Sequence, residues 1–250
     1  MGIAEVAQLP ILRGIVDKLP SSLDAIVCTS DLQGIDAAPQ SGPGVRLLGE
    51  LLAVELAAFL EVISVLPSRT GIVLAGDFYS SATANQRGAS GDVRCVWDAF
   101  VQRFRWVAGV SGNHDRLGHT PDDVHAFVKT PNLHYLDGTV CSVDGLTLAG
   151  IGGIIGKPAK PMRRSAKDYA STLKRLEDTK PDLIIRHQSP DVEELAFLGS
   201  DKLTAAYGRQ TYPLVICGHI SWPSPFVQLS NGTQLLNVDS RAVILQSTSS

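Results

Sequence analysis

Short aliphatic runs recur along the chain, and their length limits the folds open to it. Residues 25–29 (AIVCT), 71–76 (GIVLAG), 106–110 (WVAGV), 182–186 (DLIIR) and 214–217 (LVIC) are each four to six residues long. Runs this short and this rich in Val and Ile suit strands buried on both faces rather than helices. Between them, apolar residues recur at helical spacing. Residues 45–66 read as one long amphipathic helix stopped by Pro67. Residues 92–104 put Val93, Val96, Trp97, Phe100, Val101 and Phe104 at the same period, and residues 165–178 put Tyr169, Leu173 and Leu176 on one face. Strand–helix–strand repeats predict parallel sheet with right-handed crossovers. Later in the chain, Asp137-Gly138, Asp144-Gly145 and Asn231-Gly232 stand between apolar runs and predict tight hairpin turns. The expected fold class is therefore α/β, with two mixed β-sheets packed face to face and helices outside. Residues 25–250 are expected to form a single domain. Residues 1–24 are an N-terminal extension, expected to be helical.

Charge and cysteine content narrow the function. The formal net charge of −3 supplies no global basic field, so nucleic acid is not indicated as a partner. Cys28, Cys95, Cys141 and Cys217 include no C-x-x-C pair and read as free thiols of a reducing compartment. Pro10, Arg13 and Asp17 interrupt the N-terminal apolar residues, which excludes the pattern of a secretory signal there. No apolar run reaches bilayer length, so no membrane partner is expected. The expected location is the cytoplasm, and the sequence is silent on oligomeric state.

Metal-type side chains stand immediately after apolar runs. Asp31 follows AIVCTS, Asp77 follows GIVLAG, Asn113 and His114 follow WVAGVSG, His187 follows DLIIR, and His219 follows LVICG. Ligands of open α/β sheets bind outside the carboxyl ends of strands. Chain-distant polar groups at five such ends therefore predict one common site. A lone histidine at a strand end is usually a hydrogen-bonded surface residue; five coincident placements are not explained that way.

The ordered set resembles the calcineurin-like metallophosphoesterase family, whose motifs read D-x-H, G-D, G-N-H-[DE], H and G-H-x-H. Here the corresponding segments are Asp31-Leu32-Gln33, Gly76-Asp77, Gly112-Asn113-His114-Asp115, His187 and Gly218-His219-Ile220-Ser221. The resemblance runs from about residue 25 onward and implies a metallophosphatase-like four-layer sandwich. It also implies a phosphate-ester substrate, hydrolysed as a monoester or diester by metal-activated water. Asp77 would bridge two metals. Asp77, Asn113, His187 and His219 would hold the second, while Asp31, Asp77 and Gln33 would hold the first. Gln33 and Ser221 replace two histidines of the first position, so one tight and one weak site are expected, with Mn²⁺ favoured over Zn²⁺ or Fe.

The resemblance makes His114 the general acid, and Asp115 beside it is expected to orient and charge the ring. Arg116 and the basic stretch with Lys157, Arg163 and Arg164 are candidates for holding substrate phosphate. Asp239, in NVDS, is a carboxylate that could compensate for a lost ligand. The missing first-site histidines keep a second reading open, a non-catalytic or weakly catalytic module on the same fold that binds phosphate ligands or protein.

Overall fold

A computed structural model describes residues 8–36, 46–81, 89–201, 203 and 214–248. Its elements in chain order are β1 (Ile11–Val16), β2 (Ala25–Ser30), α1 (Leu48–Val62), β3 (Thr70–Leu74), β4 (Gly91–Asp92), α2 (Arg94–Val101), β5 (Trp106–Gly109), β6 (Asp115–Arg116), α3 (Pro121–Phe127), β7 (Leu133–Tyr135), β8 (Thr139–Val143), β9 (Leu146–Ile151), β10 (Ile154–Ile155), β11 (Arg163–Arg164), α4 (Ala166–Glu177), β12 (Leu183–Gln188), β13 (Val215–Gly218), β14 (Phe226–Gln228), β15 (Gln234–Asn237) and β16 (Arg241–Ser247). Two six-stranded sheets dominate, ordered β1-β16-β2-β3-β5-β7 and β14-β15-β13-β12-β9-β8.

Side-chain alternation along the strands explains the layering. In the first sheet Val27, Ile72, Leu74, Val107 and Ile244 face outward and bury the apolar stripes of α1 (Leu52, Leu56, Leu60) and α2 (Val96, Trp97, Phe100). Their neighbours Ile26, Cys28, Val73, Ala108 and Val243 face inward. There they meet Leu148, Ile185, Ile216 and Leu236 of the second sheet. Ala149, Ile184, Val215 and Leu235 point away from that interface and cover Tyr169, Leu173 and Leu176 of α4. Two faces per strand and one stripe per helix thus give four layers, helix–sheet–sheet–helix, as the fold class anticipates.

Several expectations need correction. The segment before residue 25 forms a strand where a helix is expected. Ile11–Val16 pairs in parallel with β16, Ile11↔Ala242 through Val16↔Ser247, with Leu12 and Val16 against the inter-sheet core. Pro10 and Pro20 bracket a stretch too short for a stable helix, and its side chains alternate in burial. Residues 1–7 of the expected extension lie outside the described residues. Asp137-Gly138 is not a hairpin: β7 pairs with β5 and β8 with β9, so this turn carries the chain from one sheet to the other. The two other turns do close hairpins, β8–β9 and β14–β15. The second sheet is parallel through β9, β12, β13 and β15, with antiparallel strands only at its edges. Helix α1 stops short of Pro67 because Ser64 turns left-handed, at φ 61°, and lets Val65 fold back into the core. The expected start of this helix at residue 45 lies outside the described residues.

Asp144 joins the two sheets at one end. It occupies the β8–β9 turn at φ 51°, where an aspartate is tolerated. Its carboxylate accepts both fork N–H groups of Arg105 at 2.6 and 2.7 Å and the Trp106 indole N–H at 2.8 Å. The Arg105 bonds chiefly hold its pKa down to about 2. A carboxylate depressed by folding stabilises above its unfolded pKa and loses that contribution as pH falls. Asp144→Ala should therefore cost about 1–3 kcal/mol at neutral pH, mainly by orphaning the buried Trp106 N–H. Urea unfolding should show the gap between parent and variant full above about pH 4 and narrowing toward pH 2 to the pH-independent part left by the Trp106 N–H; equal stability at pH 7 would remove Asp144 from this role.

Candidate metal centre

Both sheets deliver polar side chains to one edge. Asp31 follows β2, Asp77 follows β3 by a short turn, and Asn113 and His114 follow β5, all from the first sheet. His187 lies near the end of β12, and His219 follows β13, both from the second sheet. The sheets approach closely here: a Cβ on Gly218 would strike the Ser30 hydroxyl and the Asp31 carboxylate, so no larger residue fits. On the other side of Asp77, a Cβ on Gly112 would strike the Asp77 carboxylate. Asp31, Asp77 and His219 adopt left-handed backbone, at φ 55°, 59° and 73°. Each such residue costs on the order of 1–3 kcal/mol, strain that a structure retains where side-chain direction matters.

Asp77, His187 and His219 bring one ligand atom each within 4.8 Å of one another. The His187 Nδ1 lies 2.9 Å from the Ala75 carbonyl, which places a proton on Nδ1 and turns Nε2 toward Asp77 Oδ2 at 3.4 Å. A backbone carbonyl fixing the tautomer in this way is a common support for a metal-ligating histidine. His187 Nε2 and Asn113 Oδ1 are buried and have no hydrogen-bond partner among the described residues. With the Nε2 proton displaced on metal binding, these two desolvated atoms, a carboxylate and a second imidazole form a donor set that fits a divalent transition ion.

The electrostatics are those of ligands facing one point. Burial pushes Asp31 up to about 7; the His187 charge opposes this, and the carboxylates of Asp239 and Asp77 add to it. Burial works to lower His187, but Asp77 and then Asp31 outweigh it and raise the ring to about 10, so a bound cation would take the place of the Nε2 proton. Burial, followed by the His187 charge, pushes His219 down to about 4, with Arg163 among the smaller contributors. Asp77 shifts down despite burial, because His187 pairs with it.

One expected role changes. Asp115 does not serve the His114 ring. Its carboxylate is buried and accepts four backbone N–H groups: Asp77 at 2.7 Å, Phe78 at 2.8 Å, Tyr79 at 3.3 Å and Gly112 at 2.8 Å. The chain bends at Asn113-His114 just before β6, so Asp115 turns inward while His114 turns to the Ala89 carbonyl, 2.9 Å from its Nδ1. Gln33 is exposed, and so is Ser221, whose hydroxyl accepts from the Arg241 guanidinium at 3.1 Å.

Arg116 is exposed on β6, beside Asp115. Lys157 is exposed, while Arg163 and Arg164 are half-buried on β11, which pairs with β10. The residues missed in the sequence are contacts rather than ligands. They are the Ala75 and Ala89 carbonyls, the Ser30 hydroxyl that donates to Asp31 at 2.7 Å, and Arg241. None carries a local sequence signal.

No protein-family model matches the chain, and no curated protein matches it. Among solved structures, TT1561 of Thermus thermophilus aligns at a TM-score of 0.59 and 18% identity, covering 86% of this chain and 88% of that one. At that identity the likeness establishes a shared fold. Looser alignments include the Thermus thermophilus sulfate thiohydrolase SoxB, at a TM-score of 0.47 and 12% identity, covering 92% of this chain and 58% of that one. A 5′-nucleotidase from Candida albicans SC5314 aligns at 0.44 and 12%, covering 92% and 46%. At TM-scores under 0.5 these two alignments carry no weight for this chain.

If Asp115 acts by holding the two ligand loops together, Asp115→Asn should weaken metal binding although Asp115 touches no metal. An amide offers one acceptor oxygen where the carboxylate offers two. Calorimetric titration of metal-stripped protein with Mn²⁺ should show affinity reduced by about 10–100-fold, the usual effect of a supporting partner. Unchanged affinity would show that the loops hold their shape without the carboxylate.

Proposed function

We propose that the chain is a metal-dependent phosphoesterase acting on a phosphate monoester or diester. One observation carries the reading: next to Asp77 and His219, the buried Asn113 Oδ1 has no hydrogen-bond partner among the described residues and the buried His187 Nε2 has only the 3.4 Å approach of the Asp77 carboxylate. Leaving such groups unsatisfied costs about 1–3 kcal/mol each, which a bound cation would recover. Asp77, Asn113, His187 and His219 would hold it. A divalent cation there, Mn²⁺ in the first instance and Zn²⁺ or Fe as alternatives, supplies charge against the phosphoryl oxygens and lowers the pKa of a bound water.

The chain's own residues do the rest. The His114 backbone N–H donates to Asp77 Oδ1 at 2.8 Å, which ties the position of its ring to the ligand. With Nδ1–H bonded to the Ala89 carbonyl, Nε2 is the atom that would hold the proton for a departing alkoxide. Asp31, half-buried and bonded to the Ser30 hydroxyl and the His219 N–H at 2.7 and 2.9 Å, is the remaining carboxylate for a first, weaker position. The exposure of Gln33 and Ser221 favours a second reading as well, a weakly catalytic or non-catalytic module that binds phosphate ligands. Turnover decides between the two.

His114→Ala should leave metal content unchanged and lower turnover by about 10²–10⁴-fold, less for substrates with good leaving groups. Steady-state kinetics on esters of graded leaving-group pKa tests this, and an equal loss for all of them would remove His114 as the acid. Dialysed protein should retain about one tightly held metal, because imidazole binds transition ions better than neutral oxygen does. Replacing Gln33 and Ser221 together by His should raise the count by one in elemental analysis; two tight metals in the unmodified chain would contradict the ligand assignment.

A further inference from the structure

A cavity of about 560 Å³ is lined in part by Gly152, Lys160, Met162, Arg163 and the Arg164–Asp137 pair, and Arg163 is near enough to the proposed metal centre for its charge to act on His219. Backbone bonds bolt it to the ligand loops on both sides. Gly153 N–H donates to the Ser111 carbonyl at 2.8 Å, just before Gly112-Asn113. Ile155 N–H donates to Gln188 Oε1 at 2.8 Å, and Gln188 follows His187. Across the loop, the Ile154 N–H donates to the Met162 carbonyl at 3.1 Å and the Gly156 N–H to the Arg164 carbonyl at 2.8 Å. Gly153 is at φ 68°, and a Cβ there would strike the Met162 carbonyl, so this approach needs glycine. The cavity wall is therefore built to a fixed position against the site.

Its charges are unequal in availability. Arg164 is committed to Asp137 at 2.7 Å. Lys160 and Arg163 have no carboxylate partner among the described residues, and Asp168 is the one remaining acid in the lining. Pro158, Ala159, Pro161 and Met162 supply an apolar surface between these charges. The volume falls in the range of small-molecule pockets, about 300–1,000 Å³, rather than an extended groove for a polymer. The chain's net charge of −3 likewise provides no polyanion track.

We propose that this cavity seats the leaving group of the substrate and that Lys160 and Arg163 bind a second phosphate carried on it. The substrate class is then a nucleotide-sized phosphate ester bearing a further phosphate, not a simple monoester. This rests on the phosphoesterase reading. In the step, the oxygen of water forms the new bond to phosphorus, the ester P–O bond breaks, and the leaving oxygen takes a proton from His114. The second phosphate stays intact on the leaving group.

The probes are adenosine 3′,5′-bisphosphate, adenosine 3′-monophosphate and adenosine 5′-monophosphate, with adenosine as the phosphate-free reference. Calorimetry on the metal-stripped full chain reads the subsite without the metal. Each phosphate-bearing probe should bind at least ~10-fold more tightly than adenosine, as expected for an added charge-assisted contact. In Lys160→Ala and Arg163→Ala that ratio should fall toward one, and Arg163→Lys should recover part of it. With Mn²⁺ restored, the same variants should raise KM for the bisphosphate and leave its kcat near the parent value. Equal binding of adenosine and its phosphates, or an undiminished ratio in the Lys160→Ala/Arg163→Ala double variant, would overturn the proposal. Failure of the unmodified protein to turn over any probe would instead count against the phosphoesterase reading, and the binding ratio would still decide the subsite.

Discussion

The buried Asp115 carboxylate is the interaction on which the site's geometry depends. A charge removed from water is tolerable only if hydrogen bonds replace its hydration. Here four backbone N–H groups do so, three from the loop after β3 and one from the loop after β5. Those loops carry Asp77 and Asn113. The clamp therefore fixes two of the four candidate ligands relative to each other before any metal is considered, and it accounts for the left-handed turn at Asp77 being retained. Burial still pushes the Asp115 pKa up to about 6, partly through the Asp77 charge, so the arrangement stores electrostatic cost close to the site.

The second constraint is the approach of the two sheets at this edge. Parallel strands end together, so β2, β3 and β5 of one sheet and β12 and β13 of the other all finish at the same rim. His187 crosses the gap to the Ala75 carbonyl and the Asp77 carboxylate, and the His219 backbone crosses it to Asp31. Gly218 permits the close contact. Ligands from both sheets then meet without any long connecting loop, and the same rim continues into the basic cavity through Gly152 and Gly153.

Much of this was legible because it is local. Strand ends, glycine placement and the order of Asp31, Asp77, Asn113, His187 and His219 can be read from short windows, and helical period locates α1, α2 and α4. What was not legible depends on contacts across the fold. Asp115 looks like a partner for His114 in sequence, but the chain bends at His114 and the carboxylate is taken by four backbone N–H groups. Asp137-Gly138 has the composition of a hairpin turn, yet the pairing partners of β7 and β8 lie in different sheets. Strand β1 needed β16, more than two hundred residues away, to become a strand at all. The capture of Ser221 by Arg241 likewise has no signature in either residue's surroundings. Helix α3 did leave a signal that the periodic reading passed over: Thr120-Pro121, followed by Asp123, is an N-cap, a first-turn proline and a capping box.

The central claim is that Asp77, Asn113, His187 and His219 together bind a transition-metal ion. Anomalous diffraction from crystals grown with Mn²⁺ tests it most directly. A strong peak within about 2.0–2.3 Å of His187 Nε2, with Asn113 Oδ1, His219 and Asp77 completing the shell, is the predicted result. Fully occupied manganese elsewhere on the chain, with no density between these four side chains, would contradict the account.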